Sequence, residues 1–175
     1  MLKIILSPPH LSGNELKYIQ LAFENNQVSS DGENIDAFEN ALQTYLGQHK
    51  QVAALSSGTA AIHLALILAG VQSNDEVICQ SFTFSASANP IAYLGATPIF
   101  IDSETETWNM CPLLLEEVIK ERIAKSQKPK AIVVVHLYGM PANIKDISTI
   151  AKKYEIILIE DAAEALGSEV NGQKC

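Results

Sequence analysis

The chain has 175 residues, of which 47% are hydrophobic, 18% charged and 6% aromatic. This length and composition are typical of one soluble globular domain and exclude a disordered protein, a disulfide-rich mini-protein or a collagen-like rod. The net charge of −8, with Arg122 as the single arginine, argues against nucleic-acid binding but still permits one small phosphate held by backbone amides.

The spacing of the cysteines and the lengths of the apolar runs predict the cellular compartment. Cys79, Cys111 and Cys175 are far apart and form no Cys-x-x-Cys pair, so we expect free thiols and no metal site. The apolar run over residues 2–6 is too short for a signal peptide, and no run of about 18 apolar residues could span a membrane. The sequence therefore predicts a cytoplasmic protein without membrane or nucleic-acid partners.

Residues 1–50 are predicted to form a helical segment. A capping box at Ser12 and Glu15 predicts the start of a first amphipathic helix, and a loop over residues 28–33 separates it from a second. Residues 51–175 instead alternate short apolar runs with helices, which indicates an α/β domain with a parallel sheet buried on both faces.

The elements of the α/β domain follow from this alternation. Strands are predicted over residues 52–55, 76–79, 98–101, 131–135 and 155–159. Helices are predicted over residues 60–69, 85–94, 112–125 and 143–154. Residues 169–175 are polar and are predicted to form no element.

Ligands of such sheets bind beyond the carboxyl ends of the strands, so the residues after each strand are candidates. Gly58, Thr59 and Ala60 follow the first strand at a helix start, where free N–H groups attract an anion, although an ordinary helix cap would have the same residues. Phe82 and Phe84 follow the second strand and offer either a flat aromatic face or plain core packing.

Two more candidates follow the fourth and fifth strands. His136 either contacts a ligand or caps the sheet, and Asp161 is either a ligand-binding carboxylate or a helix cap. The small residues Ala162 and Ala163 leave room for a flat group over Asp161. An anion cradle, an aromatic face and a carboxylate at one sheet edge would suit a phosphorylated pyridine ring.

Four motifs resemble the DegT/DnrJ/EryC1/StrS family of sugar aminotransferases, which use pyridoxal phosphate (PLP) and have fold type I. The motifs are SGTAAIHLAL at 57–66, SFTF at 81–84, HLYG at 136–139 and IEDAAEALG at 159–167. The resemblance covers essentially all 175 residues and is greatest to bacillosamine-type enzymes, which aminate UDP-4-keto-6-deoxy-N-acetylhexosamines. It implies the three-layer parallel-sheet large domain of fold type I PLP enzymes, incomplete at the carboxyl end.

The resemblance also implies a role for each candidate residue. The residues implied to hold the cofactor phosphate are Gly58, Thr59 and Ala60. Phe84 would stack on the pyridine ring, Asp161 would pair with its nitrogen, and Glu164 would lie near the ring oxygen. The residues implied to face the sugar substrate are Ser29, Ser30, His136 and Tyr138.

The chain departs from the family pattern after Asp161. The family's Schiff-base lysine is expected a few tens of residues later, and Lys174 is too early to be this lysine. We therefore expect the amino-terminal part of a family member that is inactive and unstable as a monomer by itself. The family's two further strands are expected between predicted strands 52–55 and 131–135, which would leave a gap in the sheet there.

The implied reaction moves an amino group, with glutamate as the expected donor, to a 4-keto sugar on a nucleotide. Such enzymes make precursors of cell-surface polysaccharides or glycans, and the complete protein is expected to be a homodimer. Three alternatives remain open. The first is a PLP-dependent sugar dehydratase of the same family. The second is an inactive truncated fragment, or a module that binds PLP weakly without a covalent bond. The third is an unrelated α/β nucleotide binder, which the lack of glycine fingerprints disfavours.

Overall fold

The computed structural model describes residues 8–47 and 49–175, so the apolar run at residues 2–6 lies outside the described residues. The chain divides into two compact units, the first ending at Ala54 and the second running from Leu55 to Cys175. None of the helices in the described ranges is long and apolar enough to cross a membrane.

The first unit contains two helices, α1 (Glu15–Glu24) and α2 (Glu33–Leu46). The Glu15 carboxylate accepts hydrogen bonds from the Ser12 backbone N–H at 2.6 Å and from the Ser12 hydroxyl at 2.9 Å. Because α1 begins at Glu15 with Asn14 as its N-cap, only half of the predicted capping box forms. Neither helix has a fully buried residue, so their apolar side chains stay accessible in this chain.

The second unit is built on a four-stranded parallel sheet. Its strands are β1 (Glu76–Gln80), β2 (Thr97–Ile101), β3 (Ala131–Val135) and β4 (Ile157–Asp161), in the order β2-β1-β3-β4. Its helices are α3 (Gly58–Leu68), α4 (Asn89–Tyr93), α5 (Pro112–Ala124) and α6 (Ile144–Lys153). A short antiparallel pair, β5 (Glu169–Val170) and β6 (Gln173–Lys174), follows β4.

Both faces of this sheet are buried, because successive strand residues point to opposite sides. Val77 and Val133 pack on one side with residues of α3 and α4, such as Leu66. Ile78 and Ile132 pack on the other side with α5 and α6. The resulting helix–sheet–helix layers confirm the predicted α/β fold class.

The first predicted strand, residues 52–55, is wrong: these residues form no strand. A strand needs a hydrogen-bonded neighbour, and here the Ala54 N–H donates instead to the Glu39 carboxylate at 2.7 Å. The predicted gap beside residues 131–135 is also wrong, because β3 pairs with β1 on one side and β4 on the other. Within the described residues, the open edges of the sheet are those of β2 and β4.

Three further differences have local causes. The helix predicted over 85–94 is a 3-10 turn, Ser85–Ser87, followed by the short α4, because Pro90 has no N–H to continue a helix from the turn. The last strand starts two residues late, because Glu155 adopts a left-handed φ of 51° in the turn after α6. The pair β5–β6 was not predicted, although Asn171 and Gly172 both have positive φ, as a tight hairpin requires.

Helix α5 offers a matched test of the core. Leu115 is fully buried and Leu113, on the same helix, is 76% exposed. Replacing Leu115 with alanine leaves a cavity and should lower the free energy of unfolding by about 3 kcal/mol. Leu113→Ala should change it by less than about 0.5 kcal/mol. Urea unfolding of the two variants of the complete protein checks the packing, and equal losses would contradict it.

Candidate functional site

A cavity of about 310 Å³ lies in the second unit, at the carboxyl edge of the sheet. The start of α3 and the loops after β1, β3 and β4 contribute its walls. The predicted site residues that line it are Gly58, Thr59, Phe84, Asp161 and Glu164. Ile62, Val135 and Leu137 add an apolar wall, so polar groups in the cavity are partly shielded from water.

The amino end of α3 leaves two amide groups free for an anion. Ser57 caps the helix, because its hydroxyl oxygen accepts the Ala60 N–H at 3.1 Å and its carbonyl accepts the Ala61 N–H at 3.0 Å. The N–H groups of Gly58 and Thr59 have no acceptor in the part of the chain that the structure describes. A Cβ on Gly58 would meet no heavy atom within 4 Å, so there is room for a ligand beside it. Both residues can therefore bind an anion.

Ala60 differs from its two neighbours. It is not among the residues that line the cavity, and its N–H already donates to the Ser57 hydroxyl. The structure therefore brings Gly58 and Thr59, but not Ala60, to the wall of the cavity.

The Asp161 carboxylate is held by two hydrogen bonds, one on each oxygen. Oδ2 accepts the hydroxyl proton of Ser87 at 2.7 Å, and Oδ1 accepts the Ala163 N–H at 3.2 Å. Neither donor is a cation, and no lysine, arginine or histidine of the described chain forms an ion pair with Asp161. A half-buried carboxylate without a cation is favourable to a positively charged ligand group.

Cys79 lies close enough to Asp161 to respond to its charge. Burial, with a smaller contribution from the negative charge of Asp161, raises the pKa of the Cys79 thiol to about 12. The thiol is therefore protonated at neutral pH and contributes no second negative charge next to the carboxylate.

The two phenylalanines after β1 have different surroundings. Phe84 lines the cavity and is 79% exposed, so its ring is available to a flat ligand. Phe82 packs against Trp108 and Tyr138, with ring centroids 5.8 Å and 6.4 Å away. Of the two, Phe84 is the one placed to stack on a ligand.

The loops after β3 and β4 are joined next to the cavity. The Tyr138 N–H donates to the Glu164 carboxylate at 2.7 Å, and the Ser168 hydroxyl donates to the Gly139 carbonyl at 2.5 Å. Glu164 thus lines the cavity with one oxygen engaged, whereas the Tyr138 side chain is exposed and is not among the lining residues.

The structure does not bring His136 to the cavity. Its side chain is fully buried, and its Nδ1 accepts the Ala142 N–H at 3.0 Å. The neutral ring therefore has its proton on Nε2, which lies 3.1 Å from the Glu160 carboxylate and donates to it. In this arrangement the histidine fixes the turn after β3, and Leu137 is its neighbour that faces the cavity.

Ser29 and Ser30 belong to the first unit and are both exposed. The Ser29 hydroxyl donates to the Asp31 carboxylate in the loop before α2. This hydrogen bond lies within the loop.

Two buried amide side chains that were not among the predicted site residues shape the sheet edge. Gln80 accepts the Val135 N–H at 3.1 Å and donates to the Phe82 carbonyl at 2.9 Å. Asn109 accepts the Leu137 N–H and donates to the Met140 carbonyl, both at 2.9 Å. The sequence does contain a signal for Gln80, because it is a polar residue at the end of the apolar strand Glu-Val-Ile-Cys-Gln.

Comparison with known proteins confirms the family that the four motifs indicated. A family model of the DegT/DnrJ/EryC1/StrS aminotransferase family matches residues 9–175, and the chain belongs to this family. It is 48% identical, over 98% of its length, to EpsN of Bacillus subtilis (strain 168), which carries the name of a pyridoxal phosphate-dependent aminotransferase. It is 42% identical, over 94% of its length, to the GDP-perosamine synthase of Escherichia coli O157:H7.

A solved structure gives the same result for the fold. The chain matches Spr1654 of Streptococcus pneumoniae, named as a sugar aminotransferase and solved in its PMP form, with a TM-score of 0.87. That match has 29% sequence identity and covers 98% of this chain and 45% of the other. The chain spans 44% of EpsN and 43% of the perosamine synthase, which is less than half the length of either.

The family is PLP-dependent, and the cavity suits this cofactor. PLP has a phosphate at one side of a flat ring and a pyridine nitrogen at another. The free amides of Gly58 and Thr59 match the phosphate, and the carboxylate of Asp161, which has no cation, matches a protonated nitrogen. The exposed ring of Phe84 suits the flat face.

Gly139 provides a test of the joined loops. Gly139 and Gly172 have similar left-handed φ angles of 80° and 78°, but a Cβ on Gly139 would lie 2.8 Å from the Glu164 carbonyl oxygen, whereas one on Gly172 would meet nothing within 4 Å. Gly172→Ala should therefore cost about 1 kcal/mol of unfolding free energy from backbone strain alone. Gly139→Ala should cost about 3 kcal/mol because the clash adds to the strain. Denaturant unfolding measures both, and equal costs would show that the close approach is unimportant.

Proposed function

We propose that the complete protein containing this chain is a PLP-dependent aminotransferase that converts the 4-keto group of a nucleotide-linked sugar into an amine. Glutamate is the proposed donor, and the product would serve in the biosynthesis of cell-surface polysaccharides or glycans. The observation that carries the proposal is the half-buried Asp161 carboxylate, which lines one cavity with the free amides of α3 and has no cationic partner among the described residues.

Each wall of the cavity would have a distinct task. The amides of Gly58 and Thr59 would bind the phosphate, and the adjacent Ala60 would keep the helix cap in place by donating to Ser57. Phe84 would stack on the ring and Glu164 would lie near the ring oxygen. When bound, PLP supplies an electron sink for the bonds of the amino acid that is joined to it.

Asp161 would hold a proton at the pyridine nitrogen. An ionised carboxylate stabilises a cation beside it, so the nitrogen would stay protonated at neutral pH. The apolar wall of Ile62, Val135 and Leu137 strengthens this pairing, because it keeps water away from the two charges.

The substrate end of the site would be formed by fewer residues of this chain than the cofactor end. The similarity to a GDP-perosamine synthase supports a sugar carried on a nucleotide. Tyr138 is exposed next to Leu137, which lines the cavity, and would contact the sugar. The lysine that binds PLP covalently would lie outside these 175 residues, and the complete protein would be a homodimer.

The reaction can be tested directly with the complete protein. We expect that PLP, glutamate and a UDP-4-keto-6-deoxy-N-acetylhexosamine together give 2-oxoglutarate and an aminated sugar nucleotide in equal amounts, measured by mass spectrometry. A GDP-linked 4-keto sugar run in parallel tests the choice of nucleotide. Loss of water from the sugar without formation of 2-oxoglutarate would indicate a dehydratase instead, and no reaction with either sugar would contradict the proposal.

Substitution of Asp161 separates catalysis from cofactor binding. In the complete protein, Asp161→Ala should lower turnover about a thousand-fold, because the ring nitrogen loses its proton, while the phosphate contacts still retain PLP. Asp102 is a suitable control, since it is an exposed carboxylate directly after β2 and does not line the cavity. Asp102→Ala should keep near-normal turnover. Unchanged turnover in Asp161→Ala would refute the role of this residue.

A further inference from the structure

Three oxygen atoms form a hydrogen-bonded series that ends at the site. The Thr83 hydroxyl oxygen lies 2.8 Å from that of Ser87, and the Ser87 hydroxyl lies 2.7 Å from Oδ2 of Asp161. Ser87 is fully buried, whereas Thr83 and Asp161 both line the cavity. A buried hydroxyl is therefore placed behind the carboxylate, away from solvent.

The direction of both hydrogen bonds follows from the groups involved. An ionised carboxylate can only accept, so the single hydroxyl proton of Ser87 must be donated to Asp161. The Ser87 oxygen then has no proton left for Thr83 and must accept the Thr83 hydroxyl proton. Both hydroxyl protons thus point toward the carboxylate, and a hydrogen bond to a charged acceptor is stronger than one between neutral groups.

The backbone of Ser87 is fixed independently of this series. Ser87 ends the 3-10 turn after β1, and its N–H donates to the Phe84 carbonyl at 3.1 Å. Asp161 ends β4, and β3 lies between β1 and β4 in the sheet. The hydroxyl therefore joins the turn after β1 to the end of β4, two strands that are not neighbours, and the backbone of Ser87 is held by its own turn.

The two oxygens of Asp161 are held from different directions. Oδ2 accepts from Ser87 and Oδ1 accepts from the N–H of Ala163, two residues further along the chain. A carboxylate held at both oxygens cannot rotate freely about its bond to Cβ. Each oxygen can accept a second hydrogen bond, which leaves acceptor capacity for a group in the cavity.

We propose that Ser87, supported by Thr83, is a positioning residue that orients the Asp161 carboxylate toward a protonated ring nitrogen in the cavity. This inference rests on the proposed function. Ser87 does not touch the ligand and acts only through Asp161, while Thr83 acts on Asp161 only through Ser87. The contributions of the two hydroxyls are therefore coupled in series.

The test uses the complete protein with PLP that carries 15N in its ring. Ser87→Ala removes the donor to Asp161, and Thr83→Val removes the second hydroxyl with little change in shape. The double variant measures their coupling. Ser85→Ala is the matched control, because Ser85 is an exposed serine of the same turn and does not line the cavity. The readouts are the dissociation constant of PLP, the NMR resonance of the ring N–H and the melting temperature of the apoprotein.

We expect Ser87→Ala to weaken PLP binding by less than about ten-fold, because it acts only through Asp161 and the phosphate contacts remain. It should also shift the ring N–H resonance, which a purely structural role would leave in place. Thr83→Val should give a smaller shift, and the double variant should match Ser87→Ala. Ser85→Ala should resemble the wild type in all three readouts.

Three results would overturn the inference while leaving the proposed function intact. They are a Ser87→Ala variant with an unchanged resonance and only a lower melting temperature, additive effects of the two substitutions, and equal effects of Ser87→Ala and Ser85→Ala. A wild-type complete protein that binds no PLP would contradict both the inference and the proposed function.

Discussion

The candidate site depends on how the chain satisfies its backbone where the parallel strands separate. Strands β1 and β3 are paired only as far as Cys79 and Val133, and beyond that point their amides no longer meet. Beyond that point, the buried Gln80 side chain replaces the backbone hydrogen bonds between the two strands. It accepts the Val135 N–H and donates to the Phe82 carbonyl. An unpaired buried amide would cost about 1–3 kcal/mol, so this side chain stabilises both loops at the point where they separate. Both loops contribute walls to the cavity.

The walls of that cavity offer opposite electrostatic partners to one ligand. The amino end of α3 presents positive partial charge, and Asp161 presents a full negative charge that no described cation balances. A ligand that carries an anion and a cation on one rigid ring can satisfy both at once. A simple phosphate would satisfy only the first, and a simple amine only the second.

The sequence predicted the parts of this arrangement that depend on periodicity and strand ends. Buried runs such as Ala131–Val135 identified the sheet, and the rule that ligands bind beyond the carboxyl ends selected Asp161 and Thr59. Prediction from the sequence failed where a long-range contact determines the local structure. Residues 52–55 have strand composition but pair with no strand among the described residues. The pattern also does not show that Leu137, rather than His136, faces the cavity. Ser87 could not be identified either, since its partner Asp161 is 74 residues away.

At the other end of β1, far along the strand from Gln80, Glu76 is held by a two-point contact with the guanidinium of Arg122 on α5. Nε donates to Oε2 at 2.7 Å and Nη2 donates to Oε1. The hydrogen bonds to Glu76 raise the pKa of Arg122 above its usual value. Because Arg122 is the single arginine of these 175 residues, a dicarbonyl reagent has one guanidinium target in them. The rate at which that reagent is incorporated would report how often the contact between Arg122 and Glu76 opens, without any engineered label.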